Sequence, residues 1–362
     1  MQAASRAALL TVLIFAVSAL PTPLAPGVRE PLVAAPAPVL AEPPSAAPLT
    51  LEELSARVNP TVVTISAEFS FYGVAGTGFV VDSDGLVLTN FHVIEEATDV
   101  TAVHMGNGLI YDASVLGYDK TLDLAVLRLA SAVDLPVAPI GRSADVAVGD
   151  GVTAVGNAEG GGVLVAAPGR VVALRESVIA ESSVDGSRNE LTDMIRIDAD
   201  VRAGDSGGPL IDAWGNVIGV DAAGLSEKAR EVSAPEAYAI PIDTAMAVLE
   251  QVREGRSGGT VHVGPTPYLG IGVRDVSAFR ESGPPQGAAV TSVQYDSPAE
   301  RTGLLRGDVI VSFDGRPVRT SKDLIEEMVE KSPGDVVELE WVSGQGVRRQ
   351  RSVTLELGTP TA

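Results

Sequence analysis

A chain of 362 residues is long enough for two ordinary domains that each bury a core. Its formal charge of −21 argues against any nucleic-acid partner, because phosphate binding relies on clustered Lys and Arg; its plain meaning is a soluble, acidic surface. There is no cysteine, so disulfides and thiolate metal sites are excluded and packing has to hold the fold; separately, no metal or other cofactor is expected.

In chain order, Arg6 precedes an apolar run over residues 7–20 that stops at Pro21. Its length suits the hydrophobic region of a signal peptide better than a membrane span of about 20 residues. Residues 1–20 are therefore expected to be a signal peptide or, uncleaved, a membrane anchor, and the protein to be exported to the periplasm or cell envelope, secreted or tethered. Pro23-Leu24-Ala25 and Val39-Leu40-Ala41 are the candidate cleavage sites. Residues 21–48 are dominated by Pro and Ala with few charges, a composition that favours an extended tether over a packed core. Thr50-Leu51-Glu52-Glu53 then offers a capping box, which predicts a short helix ending before Pro60.

Short apolar segments follow at 79–81, 86–88, 124–127, 152–155, 171–174, 194–197 and 217–220, separated by turn residues. That punctuation predicts an all-β domain over residues 49–255. A Gly/Ser-rich stretch leads into a linker at 256–266, and a second domain is expected over 267–357. Within it, Thr320-x-x-Asp323 caps a predicted helix over 320–331 whose apolar stripe is Leu324, Ile325, Met328 and Val329.

The chemistry concentrates at Ala203-Gly204-Asp205-Ser206-Gly207-Gly208-Pro209-Leu210, where a serine set among glycines leads into an apolar strand. Glycine lets a substrate carbonyl approach the main chain, so the N–H groups of Gly204, Asp205 and Ser206 are the candidate oxyanion hole. A short Gly-x-Ser-x-Gly motif in a chain with 38 glycines takes its meaning from its partners. A serine hydrolase needs a histidine base and an acid to orient it, and the chain has only three histidines. His92 follows the apolar run 85–89, and Asp123 opens a second strand, whereas His104 and His262 have no strand-end acid at comparable separation. The same motif marks the nucleophile elbow of α/β-hydrolases, the fold of many esterases and lipases. That fold needs the order Ser, acid, His and would leave His262 as its base, and the strand–helix alternation it requires is missing here.

Asn59-Pro60-Thr61-Val62-Val63, Gly76-Thr77-Gly78-Phe79-Val80, Thr89-Asn90-Phe91-His92-Val93, Asp123-Leu124-Ala125-Val126-Leu127, Val155-Gly156-Asn157, the Ser206 segment and Tyr238-Ala239-Ile240-Pro241-Ile242 follow one another in this chain. In these landmarks it resembles the HtrA (DegP/DegS-type) family of trypsin-like serine proteases carrying a PDZ domain, over roughly residues 50–355. The resemblance implies a mainly β fold, a chymotrypsin-like double β-barrel followed by a small α+β PDZ domain. It also implies an endopeptidase acting on unfolded or damaged proteins through His92, Asp123 and Ser206, and a homo-oligomer, a trimer in the family. Loops near 160–162, 177–193 and 222–236 would shape the cleft. The competing reading is a peptide-binding chaperone or scaffold whose triad is idle.

Tyr268-Leu269-Gly270-Ile271-Gly272-Val273, with Gly303-Leu304-Leu305-Arg306-Gly307-Asp308 further on, resembles a PDZ domain. There the backbone of Leu269, Gly270 and Ile271 would meet the terminal carboxylate of a peptide added by β-augmentation, with Met328 facing the groove. The basic run Arg348-Arg349-Gln350-Arg351 reads as a solvated strand edge.

Three departures from the family pattern stand out. Asp205 replaces the usual Asn before the nucleophile, with Arg202 its candidate partner by charge or, alternatively, only local backbone donors to cap. Asp200, six residues before Ser206, holds the register of the S1 floor in trypsin-like enzymes, where an acid favours Lys or Arg at P1 unless Arg202 neutralises it. The segment between Ser66 and Gly76 is too short for the long regulatory insertion of some relatives, and Phe69, Phe71 and Tyr72 in it are candidates for an oligomer interface or for core packing.

Overall fold

The computed structural model describes residues 47–68, 73–181, 188–224, 235–276 and 286–359. The predicted leader at 7–20, nearly all of the tether at 21–48, the aromatic cluster Phe69, Phe71 and Tyr72, and parts of two candidate cleft loops (182–187 and 225–234) lie outside these residues. No helix among the described residues is long and apolar enough to cross a membrane.

The capping box forms as its residues dictate. Glu53 N–H donates to Thr50 Oγ1 at 3.3 Å, and Thr50 N–H donates to Glu53 Oε2 at 2.8 Å, which starts α1 (Leu51–Val58). Pro60 cannot continue that helix, and the chain turns through a 3-10 segment at Asn59–Thr61 into the first strand.

Six strands build the first barrel: β1 (Val62–Glu68), β2 (Gly73–Asp82), β3 (Leu86–Thr89), β4 (Asp99–His104), β5 (Ile110–Asp119) and β6 (Leu124–Leu129). They pair in the order β5-β4-β1-β2-β3-β6, and pairing of β5 with β6 closes the ring. A short helix, α2 (Phe91–Ile94), follows β3. The strands read as continuous apolar runs because both faces are buried. Val63, Ile65, Val80, Val87 and Leu127 point into the barrel. Their neighbours Val62, Phe79, Val81, Leu86, Leu88 and Val126 enter a second core shared with the other half of the domain.

The second barrel is closed in the order β10-β11-β12-β9-β8-β7. Its strands are β7 (Gly151–Gly156), β8 (Val165–Glu181), β9 (Arg188–Ile197), β10 (Pro209–Asp212), β11 (Val217–Gly224) and β12 (Ala237–Pro241). Val152, Val171, Ile195, Leu210 and Ile218 fill it. α3 (Ile242–Arg253) then buries Ile242, Ala245, Val248, Leu249 and Val252 in the shared core, a spacing that makes one helical stripe.

After α3 the chain returns to the first barrel, where β13 (Val261–Val263) adds to the edge of β5. The last domain has β14 (Pro267–Tyr268), β15 (Ile271–Asp275), β16 (Ala288–Val293), α4 (Pro298–Thr302), β17 (Val309–Phe313), β18 (Arg316–Pro317), α5 (Ser321–Val329), β19 (Val336–Val342), β20 (Arg348–Thr354) and β21 (Glu356–Leu357). Its main sheet runs β15-β16-β17-β19-β20 with β18 on β17, and β14 pairs β21. Thr320 caps α5 as its spacing predicts. Leu324, Met328 and Val329 are buried, the first two in a core with Phe313, Leu339 and Trp341.

Candidate active site

The end of β3 lies beside the start of β6, with Thr89 opposite Ala125. That register brings α2 against the loop that ends at Asp123. Asp123 adopts φ +56°, a left-handed conformation that Asp tolerates better than most residues, and its carboxylate turns toward His92. Asp123 Oδ1 accepts the His92 backbone N–H at 2.9 Å, and Oδ2 lies 2.8 Å from His92 Nδ1. Asn90 Nδ2 donates to the Asp123 carbonyl at 2.9 Å and holds the same turn from below. With Nδ1 given to the carboxylate, Nε2 keeps its lone pair for a substrate-side proton.

The charge balance around the ring is a contest. Burial works against the imidazolium, but the charge and hydrogen bond of Asp123, with a smaller effect of Glu95, outweigh it and hold His92 above its ordinary 6.5. The other two histidines are elsewhere. His104 is buried and accepts the Asn107 N–H at 3.2 Å. His262, on β13, is buried where the last domain meets the first barrel, with Nδ1 3.0 Å from the Val329 carbonyl oxygen of α5 and Nε2 3.2 and 3.1 Å from those of Gly264 and Pro265.

The Ser206 segment is held peptide by peptide. The Ala203 carbonyl accepts Glu159 N–H at 2.7 Å, and the Gly204 carbonyl accepts Thr77 Oγ1–H at 2.6 Å. Asp205 N–H donates to the Arg202 carbonyl at 3.0 Å, and the Asp205 carbonyl accepts Gly208 N–H at 2.8 Å. The Ser206 carbonyl accepts Thr77 N–H at 2.9 Å, and Gly207 N–H donates to the Asp221 carbonyl at 2.7 Å. Among the described residues the N–H groups of Gly204 and Ser206 donate to none, which is unusual for backbone so tightly bonded. The Asp205 N–H, expected with them as an oxyanion donor, is already committed to Arg202. Glycine is required at both bends: a Cβ on Gly204 (φ +96°) would sit 2.2 Å from the Asn157 carbonyl oxygen, and one on Gly207 (φ +84°) 2.2 Å from that of Thr77. No hydrogen bond joins the Ser206 hydroxyl to His92 among the described residues, a contact that often tightens only when substrate binds.

The expected Arg202–Asp205 ion pair does not form. The Arg202 guanidinium bonds Asp200 Oδ2 through Nε (3.0 Å) and Nη2 (2.7 Å) and Glu159 Oε1 through Nη1 (2.8 Å). Asp205 Oδ2 instead accepts the Arg202 backbone N–H at 2.8 Å, the local capping role, because the short loop turns the Arg202 side chain outward. Asp200, Arg202 and Glu159 line a cavity of about 400 Å³ together with Ala158 and residues 165–168.

Sequence reasoning passed over two residues here. Thr77 is wholly buried on β2, and Asp221 is wholly buried on β11 with no hydrogen bond to either carboxyl oxygen among the described residues. Burial, then the charge of Asp205, pushes the Asp221 carboxyl well above the usual carboxylate range. An acid closing the apolar run 217–220 was the available signal.

In the last domain, Gly270 sits at φ +82°, and neither Leu269 N–H nor Gly270 N–H donates to a described residue. Ile271, half-buried, opens β15. Met328 is only 5 % exposed and lies in the core, so it serves packing and offers almost no surface to a groove.

Two β-barrels with a carboxylate-bound histidine and a glycine-bracketed serine define a trypsin-like serine peptidase, here followed by a peptide-binding type of domain. Comparison with known proteins agrees: the trypsin-like peptidase domain profile matches residues 76–220 and the PDZ domain profile residues 267–353. The serine protease HhoA of Synechocystis sp. is 33% identical over 300 residues, 79% of this chain and 72% of its own. A DegP-like periplasmic serine endoprotease of Rhizobium meliloti is 32% identical over 289 residues, 78% of this chain but 53% of its own length, so the chain spans about half of that relative. Among solved structures, the HtrA-type protease AlgW with a tripeptide, in a form carrying one substitution, aligns at TM-score 0.51 and 25% identity over 86% of this chain and 98% of its own. The chain belongs to the HtrA family of serine proteases.

Proposed function

We propose that this protein is an exported endopeptidase in which Ser206 attacks a peptide carbonyl while His92 Nε2 takes its proton and Asp123 keeps the ring in place. The resulting oxyanion is received by the Gly204 and Ser206 N–H groups, and water releases the acyl-enzyme through the same base. The observation that carries this reading is the double hold of Asp123 on His92, together with a serine loop in which the N–H groups of Gly204 and Ser206 donate to no described residue.

Unfolded or damaged proteins are the proposed substrates, with peptide C-termini bound at Leu269, Gly270 and Ile271 for delivery or regulation. The names of the DegP-like relatives support a periplasmic location, with residues 7–20 as leader or tether. Assembly into trimers is part of the same proposal. The grip of Arg202 on Asp200 supports a pocket that does not require a basic P1 side chain.

The test is hydrolysis of unfolded casein combined with fluorophosphonate labelling. The native chain is expected to hydrolyse casein and take the label at Ser206, and Ser206→Ala to do neither. Casein hydrolysis surviving in Ser206→Ala would overturn the assignment. An unlabelled native chain that still binds unfolded protein would favour the idle-triad scaffold.

A further inference from the structure

Thr77 belongs to the first barrel, yet its bonds govern a loop of the second. Its Oγ1 donates to the Gly204 carbonyl (2.6 Å), 127 residues away in the chain, and accepts Asn157 N–H at 2.9 Å. Its own N–H donates to the Ser206 carbonyl at 2.9 Å, and its carbonyl accepts Thr89 Oγ1–H at 2.7 Å, three residues before His92. A hydroxyl has one proton. Because Asn157 N–H approaches Oγ1 as a donor, the Thr77 proton goes to Gly204 and nowhere else.

The peptide joining Gly204 to Asp205 is thus pinned at both ends, its carbonyl by Thr77 and its N–H by Arg202. Gly204 has no side chain to resist rotation, so an outside hold is needed to keep its own N–H and that of Ser206 in place. The Ser206 carbonyl is caught by the same residue.

We propose that Thr77 is a positioning residue for the reaction: its hydroxyl fixes the oxyanion-binding conformation of the nucleophile loop, and its backbone spaces that loop from the His92-bearing end of β3. Thr77 touches no substrate and acts through Gly204 and Ser206. The inference rests on the reading of Ser206 as nucleophile.

The test compares Thr77→Val, which keeps the volume, Thr77→Ala, which removes it, and Thr77→Ser, which keeps the hydroxyl, with Ser206→Ala as control. Loss of the hydroxyl is expected to lower kcat by about 10²-fold with KM little changed, the size of one lost oxyanion contact. Thr77→Ser is expected to recover kcat to within a few-fold. A peptide boronate, which forms a tetrahedral adduct on serine, should lose affinity in Thr77→Val in step with kcat, while a product peptide should not. Melting curves identify any variant that fails to fold, and Thr77→Ala carries the test if Thr77→Val does.

Unchanged kcat in a folded Thr77→Val or Thr77→Ala would overturn the inference, as would a Thr77→Ser variant as slow as Thr77→Val. Activity retained in Ser206→Ala would instead overturn the reading of the nucleophile beneath it.

Discussion

Asp123 grips His92 at two points, accepting the backbone N–H on one carboxylate oxygen and facing Nδ1 with the other. One carboxylate therefore sets the ring's place, its tautomer and its affinity for protons.

The pH profile follows from that grip. The base must be neutral, and His92 is held above 6.5, so kcat/KM is expected to rise with pH through an inflection on the alkaline side of 6.5. Asp123→Asn should lower kcat by about 10⁴-fold and move the inflection to lower pH. Stability runs the other way. The charged pair contributes fully below pH 6.5, and that contribution is lost as pH rises through the folded-state value. An inflection in the native enzyme below 6.5 would contradict this account.

Asp221 predicts a second pH effect, on stability alone. Its folded-state carboxyl keeps a proton that the unfolded chain releases above 3.8, so its contribution falls as pH climbs from 3.8 toward the raised value. Asp221→Asn has the same shape and cannot ionise. It should be more stable than the native chain at neutral pH, with the gap closing toward about pH 4. Chemical denaturation across that range measures it, and a gap independent of pH would refute the assignment.

Arg202→Ala removes the guanidinium from Asp200 and Glu159, which line the cavity. Because these groups are exposed, the melting temperature should barely move. Cleavage after Lys and Arg, read from a peptide library, should rise about tenfold relative to cleavage after Val and Ala. An unchanged library profile would remove Asp200 from the specificity pocket.

His262→Ala strips the ring from between β13 and the end of α5, where three carbonyl oxygens surround it. A loss of about 1–3 kcal/mol is expected from the buried contacts, with kcat on a short peptide unchanged, since His262 lies outside the catalytic cluster. Loss of kcat in a folded variant would implicate the domain junction in catalysis.

The amino-acid sequence by itself determined the mainly β class, the capping box of α1 and the Thr320 cap of α5, and it singled out His92, Asp123 and Ser206 as the candidate triad. These are legible because short apolar runs between turn residues, caps and a glycine-bracketed serine are written in neighbouring residues, and because three histidines leave few choices for a base. Only the tertiary structure decided which carboxylate Arg202 reaches, that Asp205 N–H is spent within its own loop, that Met328 faces inward, and that Thr77 holds the Gly204 carbonyl. The two carboxylates are two and three residues from Arg202, and sequence separation cannot say which way a long side chain turns. Thr77 and Gly204 meet only when two barrels pack, a contact with no local signature in the chain.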